Sequence, residues 1–439
     1  MMSQLLFLLL LGTGTFFFAR RIGVIRRNIL AGREWDGSDR TSERWATMAR
    51  VALGQGKMTA RPVAGIMHIL IYVGFVIINI EILEILIDGA FGTHRVFAFL
   101  GAAYDLLIAS FEWLALGVII ACVVFFVRRN GLAIARLVSK DLKGWPTLDA
   151  NIILVAEVLL MFAFLSMNAA DAIAQSRGLE HYVNAGSFPV SSWLVPLYAG
   201  LSDAGVIAVE RGMWWFHIAG VLAFLVYVPY SKHFHIILAF PNTYYSNLHP
   251  KGHMDNMAAV KKEVDLMMDP SADPYAAAPA TDAPPARFGV KDATDLTWKQ
   301  LLEAYTCTEC GRCTSECPAN QTGKLLSPRK IMMSTRDRIE EIGKHREVQG
   351  GEWKPDGKSL LGDWITEEEL WACTSCQACV EACPINISPM GIILDMRRSL
   401  IMEDSKSPES ITSMFNNIEN NGAPWAFPAG SRGDWTQEV

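Results

Sequence analysis

The sequence has no excess of charge of one sign. Lys and Arg number 39 against 45 Asp and Glu, a formal net charge of −6 over 439 residues. No basic stretch interleaved with aromatics appears, which argues against a nucleic-acid partner. There is no dinucleotide-binding glycine fingerprint and no P-loop, which removes a direct NAD(P)H or ATP site. Flavin motifs, a catalytic triad and a substrate-sized soluble domain are also missing. Cysteine is scarce outside one region. Of nine cysteines only Cys122 stands apart, in an apolar run where it reads as a small packing residue.

What is present is apolar and unevenly spread. Hydrophobic residues make up 51% and the four charged types only 19%. The apolar part ends near residue 240, and the rest is polar. A chain of this length has room for two or three domains.

The stretch 307–384 carries the pattern C-x2-C-x2-C-x3-C-P twice. The first copy is Cys307, Cys310, Cys313 and Cys317 before Pro318, and the second is Cys373, Cys376, Cys379 and Cys383 before Pro384. Three thiolates at this spacing can wrap one corner of an iron–sulfur cube, and in two-cluster ferredoxins the fourth crosses to the other cluster. The spacing predicts one [4Fe–4S] cluster on Cys307, Cys310, Cys313 and Cys383, and a second on Cys373, Cys376, Cys379 and Cys317. Zinc needs no third cysteine at that spacing and no following proline. A disulfide framework suits small secreted domains. Unpaired thiols and clusters point to the reducing side of a membrane.

Five stretches are long enough to span a hydrocarbon core of about 30 Å: 3–22, 62–88, 104–127, 148–170 and 212–240. The first is not a signal peptide, because Arg20, Arg21, Arg26 and Arg27 follow the apolar run instead of preceding it. Lys and Arg crowd the segments after spans one and three, whereas 89–103 and 171–211 carry only Arg95, Arg177 and Arg211. By the positive-inside rule the N-terminus lies outside and the cysteine-rich half in the cytoplasm. A short amphipathic helix is expected at the outer surface around 190–209.

Histidines gather at the spans. His68 lies near the inner face, His94 just past the outer end of span two, His217 at the outer start of span five, and His233 and His235 at its inner end. On one continuous helix the 18 residues from His217 to His235 make five turns and about 27 Å of rise, which puts both on one face. His233 then points roughly 160° away, subject to a kink at Pro229. Haem b in a bundle takes an imidazole from each of two facing helices at matching depth. The depths give an inner pair, His68 with His235, and an outer pair, His94 with His217. His94 stands at a helix end, where a solvated histidine costs nothing, so it reads equally as a surface residue. Glu112 and Glu157 lie inside spans three and four, as proton carriers or packing residues. Glu81, Glu84 and Asp88 read as interfacial and solvated.

Residues 269–287 are rich in Ala, Pro and Asp, which predicts a flexible tether. Helices are expected at 298–305, 327–344 and 389–403, with a capping box from Thr366 to Glu369. The 55 residues between Cys317 and Cys373 are mostly helical, unlike a small β-type ferredoxin.

These residues carry a resemblance. The run from Tyr305 through Cys307, Cys310, Cys313 and Cys317, followed by Leu326-Ser-Pro-Arg, is similar to the C-type cluster subunit of heterodisulfide reductases, as is the run around Cys373–Cys383. The segment from Pro229 to His235 resembles the end of the last helix in membrane subunits related to the gamma subunit of respiratory nitrate reductase, a five-helix dihaem b protein. That family draws both remaining ligands from span two, about ten residues apart; the position ten after His68 is Ile78. The outer haem therefore depends on His94 or is absent. Fused relatives continue into cysteine-rich CCG domains, and Gly422-Ala-Pro-Trp resembles the approach to one. This implies a separate CCG-domain catalytic subunit.

The expected fold is all-α, a five-helix transmembrane bundle followed by a cytoplasmic helical ferredoxin. The divisions are 1–245 for the bundle, 246–295 for a linker, 296–403 for the ferredoxin and 404–439 for a tail that contacts a partner. The expected role is electron transfer in a bacterial or archaeal cytoplasmic membrane. Electrons pass between a menaquinone-type pool, one or two haems b, two [4Fe–4S] clusters and the partner. A self-sufficient membrane dehydrogenase and an ion-translocating redox module are the alternatives.

Overall fold

The computed structural model describes residues 1–250, 252–271 and 287–437. Five helices are long and apolar enough to cross a membrane: α1 (Met2–Ile29), α2 (Pro62–Phe91), α3 (Ala102–Phe126), α4 (Trp145–Ser176) and α5 (Asp203–Tyr227). Pro62 opens α2, in the turn where an N–H would have no partner. Ser202 caps α5 by accepting from the Gly205 amide at 3.3 Å. The helices pack as neighbouring pairs, α4 with α5, α2 with α3, and α3 with α4, while α1 lies against α2 and α5. Phe7, Ile108, Phe111, Phe164 and Ile218 fill the centre of this bundle. Leu9, Phe16, Val76, Leu106 and Trp113 face outward. So broad an apolar girdle is a liability in water and is matched by lipid.

The fifth span departs from the expected 212–240. It starts nine residues earlier and leaves helical geometry at Tyr227. Two tight turns follow, Val228–Tyr230 and Lys232–Phe234, and a new helix, α6 (His235–Tyr244), then begins. Pro229 causes the break, because it lacks an N–H and its ring crowds the preceding turn. The five-turn arithmetic linking His217 to His235, and the angle that set His233 aside, therefore do not hold. The expected outer helix at 190–209 is likewise two short turns, Ser191–Trp193 and Val195–Tyr198, before α5 starts.

The second half is also helical: α7 (Trp298–Thr306), α8 (Arg312–Glu316), α9 (Pro328–Val348), α10 (Ala378–Ala382), α11 (Pro389–Met402) and α12 (Glu409–Asn421). Thr297 and Gln300 form a capping box at α7. Thr366 and Glu369 form the expected one, with reciprocal bonds of 3.2 and 2.9 Å. Among the described residues there is no strand, only isolated bridges such as Arg33 with Thr297.

The two halves share a core. Ile25, Ile29, Val228, Phe234 and Leu238 of the membrane half pack in one cluster with Leu301, Ile331 and Ile392. Asn28 donates to the Tyr305 hydroxyl at 2.9 Å, which donates to Glu340 at 2.7 Å. A Cβ at Gly343 would overlap the Asn28 amide, so glycine is what lets α9 approach α1. Of the expected tether, 272–286 lies outside the described residues. From 287 onward the chain is folded onto the second half: Val290 is buried, and Asp292 binds Arg338 through both carboxylate oxygens at 2.8 and 2.7 Å.

Candidate metal centres

The two cysteine motifs are built alike. Glu309 and Ser375 occupy the same place between the first two cysteines of each copy, and both are left-handed, φ 55° and 56°. Gly311 and Gln377 correspond likewise, φ 71° and 61°. Such residues curl the backbone around a central point, and non-glycine residues adopt this conformation only when their surroundings impose it. Helices α8 and α10 follow the two loops and pack side by side.

This packing sorts the sulfurs. Cys307, Cys310, Cys313, Cys379 and Cys383 line one cavity, with Ile385 and Ile387 as apolar wall. The thiol neighbours of Cys307 are Cys310 and Cys383, and those of Cys317 are Cys373 and Cys376. Cys379 has Cys373, Cys317 and Cys376 around it. Burial pushes the Cys307 and Cys379 thiols up to about 12 and Cys383 to about 11. Burial thus disfavours bare thiolates here, and the positive charge of a bound metal group would offset that. Among the described residues no three His, Cys, Asp or Glu side chains close on one point as a single ion requires. These thiolates are the ligands that a [4Fe–4S] cluster would take, and the group would supply a one-electron carrier. Backbone amides already address the sulfurs, Ile387 N–H to Cys383 at 3.3 Å and Ser375 N–H to Cys373 at 3.4 Å.

Of the histidines, His68 and His235 meet, with ring centroids 6.2 Å apart. These two side chains are the ones that would hold a metal-bearing group such as haem b between them, and that group would supply a one-electron carrier. His235 Nδ1 lies 3.0 Å from the Lys232 carbonyl, and His217 Nδ1 lies 3.0 Å from the Leu160 carbonyl. A carbonyl only accepts, so Nδ1 carries the proton and Nε2 the lone pair, the tautomer a metal needs. His217 Nε2 is buried without a partner, and so is His68 Nδ1. His233 stands 5.8 Å from His235.

The expected outer pair is not brought together. The ring beside His217 is Phe164 at 6.3 Å, whereas His94 lies against His181 and Tyr182 with Nε2 3.5 Å from Asp171. His94 is not solvated, and burial lowers its pKa to about 4. Glu81 and Glu84 are not solvated either. The loop after α2 folds back over them, so that Glu84 accepts from Tyr104 at 2.8 Å and from the Phe97 amide at 2.9 Å. Arg95, read only as a topology charge, is buried and donates to Asp171, Asn168 and Tyr104. Glu112 is held by Asn168 at 3.1 Å and by the Val190 and Ser191 amides at 2.8 and 3.0 Å, so it pins the loop between α4 and α5.

Sequence reasoning missed the contacts between the halves. Lys232 Nζ reaches Glu309 of the first motif, whose other oxygen accepts from Arg336 at 2.9 Å. Burial alone would raise the Glu309 carboxyl, but the charges of Arg336 and Lys232 outweigh it and hold the pKa down. Arg312 donates to the Lys57 and Met58 carbonyls at 2.9 and 3.1 Å, and Arg329 binds Asp141. Arg329 had a visible signal, its place in the Leu326-Ser-Pro-Arg run. Lys232, Glu309 and Arg312 also lie in runs singled out for their histidines and cysteines, but nothing in those runs announces which charges meet across the halves.

Known proteins agree with part of this. The 4Fe-4S dicluster domain family matches residues 303–387, which supports [4Fe–4S] clusters in that stretch. The probable iron-sulfur-binding oxidoreductase FadF of Bacillus subtilis is 27% identical over all of this chain and 61% of its own length. The EtfAB:quinone oxidoreductase of Syntrophomonas wolfei is 26% identical over 93% of this chain and 56% of its own. The C-type subunit of a CoB-CoM heterodisulfide reductase from Methanosarcina acetivorans is 32% identical over 25% of this chain and 53% of its own. The chain thus spans only about 60% of the length of the first two relatives. No solved structure matches it.

Proposed function

We propose that the chain is the membrane-bound electron-transfer part of a quinone-linked oxidoreductase. The first cluster is held by Cys307, Cys310, Cys313 and Cys383, the second by Cys373, Cys376, Cys379 and Cys317, and haem b by His68 and His235. When bound, these groups supply one-electron carriers. The observation that carries the reading is continuity. The turn that orients His235 also extends Lys232 to Glu309, inside the first cysteine loop. The protein's own part is to hold these sites in a row, with the first motif against the membrane half and Cys376 of the second exposed. His217 is a ligand-ready imidazole without a facing partner, so one haem is assigned.

The quinone end is supported by the name of the Syntrophomonas wolfei relative, and a menaquinone-type pool is the substrate proposed. Orientation follows from charge. The Arg- and Lys-rich segments 33–61 and 128–143 touch the cysteine-rich half, through Arg61 to Glu316 and Arg136 to Cys310, so that half is assigned to the cytoplasm. A cytoplasmic CCG-domain partner is assigned to the tail 404–439, where Phe415, Ile418, Trp425, Phe427 and Trp435 are exposed. The proposed divisions keep 1–245 for the bundle and 296–403 for the ferredoxin, with 287–295 joining the latter.

The purified chain in nanodiscs should show a haem b α-band that a menaquinol analogue reduces, and iron and acid-labile sulfide for two cubanes. A preparation with zinc and no α-band would overturn the reading.

A further inference from the structure

In each cysteine motif an arginine grips a cysteine carbonyl, but the two arginines come from different halves. For the second motif it is Arg397 of α11, which donates to the Cys373 carbonyl at 2.5 Å and the Leu370 carbonyl at 2.6 Å. For the first it is Arg136, in the loop between membrane spans three and four, donating to the Cys310 carbonyl. That loop is built against the cavity. The Arg136 carbonyl accepts from Arg329 Nη1 at 2.7 Å, and Arg329 lines the cavity beside Cys307 and Cys313. Asp141 of the same loop takes Arg329 in a fork at 2.8–3.0 Å, with Ser327 donating to it at 2.9 Å. Gly311, at φ +71°, lies so close to Arg136 that a Cβ there would strike its backbone. The loop and the first motif therefore meet at backbone level, with Arg136 half-buried between them.

We propose that Arg136 holds up the reduction potential of the cluster bound at the first motif, so that this potential depends on the membrane half being docked. Reduction adds one electron and one negative charge there, with no bond formed and no proton taken up. Charge and hydrogen bonding near the sulfurs set such potentials. A guanidinium fixed at the Cys310 carbonyl in a half-buried contact stabilises the reduced form, and Asp141 opposes it by compensating Arg329. The second motif, with Cys376 exposed and its arginine on its own half, is insulated from this loop.

The test is a mediator titration of the full chain in nanodiscs, followed by EPR, with Cys376→Ser used to identify the second cluster's signal. It rests on the ligand assignment above, and the two fail differently: a chain without two cubane signals defeats that assignment, while intact signals with unmoved potentials defeat this inference. Arg136→Gln should lower the first midpoint by about 59 mV, a tenfold loss in the reduced-to-oxidised ratio for one electron, and leave the second unmoved. Arg136→Lys should keep most of the potential. Asp141→Asn should shift the first midpoint upward, and it carries the test alone if Arg136→Gln fails to assemble the first cluster. Equal shifts at both clusters, a Lys variant as low as the Gln variant, or a downward shift in Asp141→Asn would each overturn the proposal.

Discussion

Lys232 and Glu309, 77 residues apart, form a buried ion pair between the turn that carries His233 and His235 and the loop that carries Cys307 and Cys310. Arg336 approaches the same carboxylate from α9. Replacing Glu309 by Gln would leave two cations facing each other in a buried contact. Breaking a buried pair in this way costs about 3–5 kcal/mol. The expected outcome for Glu309→Gln is loosened docking, read as faster proteolysis at loops 57–61 and 135–142 with the bundle itself intact. An unchanged cleavage pattern would mean that the pair does not hold the halves together.

His68 and His235 should behave as one unit. If both hold one haem, either alanine variant removes the same α-band, and the double variant loses no more than each single one. Non-additivity of this kind marks groups that share a ligand. His233→Ala and His217→Ala should leave that band in place. Losses that add across His68 and His235 would place them at separate sites.

The spans were legible because hydropathy over twenty residues is a local property. Four of the five expected stretches became membrane-length helices, the fifth did so only with shifted bounds, Asp203–Tyr227, and the capping box at Thr366 formed as read. The break at Pro229 was visible as a residue but not as an outcome, since whether a proline bends or ends a helix depends on what receives the freed groups. The buried charges were out of reach for a different reason. Arg95 finds Asp171 76 residues away, and Arg329 finds Asp141 188 away. Glu81 and Glu84 looked solvated because nothing local announces that the following loop folds back to cover them. The two cysteine motifs were visible because a fixed spacing is a local property, and the proposed division of their sulfurs between two clusters rests on it.

Crossed ligation makes an asymmetric prediction. Cys317 belongs to the first motif by sequence, but its thiol neighbours are Cys373 and Cys376. Cys317→Ser should therefore alter the EPR signal of the second-motif cluster, and Cys383→Ser that of the first. Loss confined in each case to the cluster of the residue's own motif would contradict the crossing.

Arg338 gives a test of the fold apart from the metal centres. It is fully buried and bridges Asp292, Asp356 and the Lys358 carbonyl, with its guanidinium over the Trp364 ring at 4.9 Å. The Arg338 hydrogen bonds hold the Asp356 carboxyl far below the usual carboxylate range. A carboxyl depressed on folding stabilises the folded form above its unfolded pKa and loses that contribution as pH falls through the folded one. The unfolded value is about 3.9, so the clamp on 350–364 should be independent of pH between 5 and 8 and weaken only well below that. Arg338→Met removes the partner of two carboxylates, at a cost of about 3–5 kcal/mol. Hydrogen exchange of 350–364 should then rise sharply at neutral pH in the variant, while in the native chain it tracks only the ordinary chemical dependence of exchange on pH. Native protection that already collapses between pH 6 and 5 would show that a group other than Asp356 governs the segment.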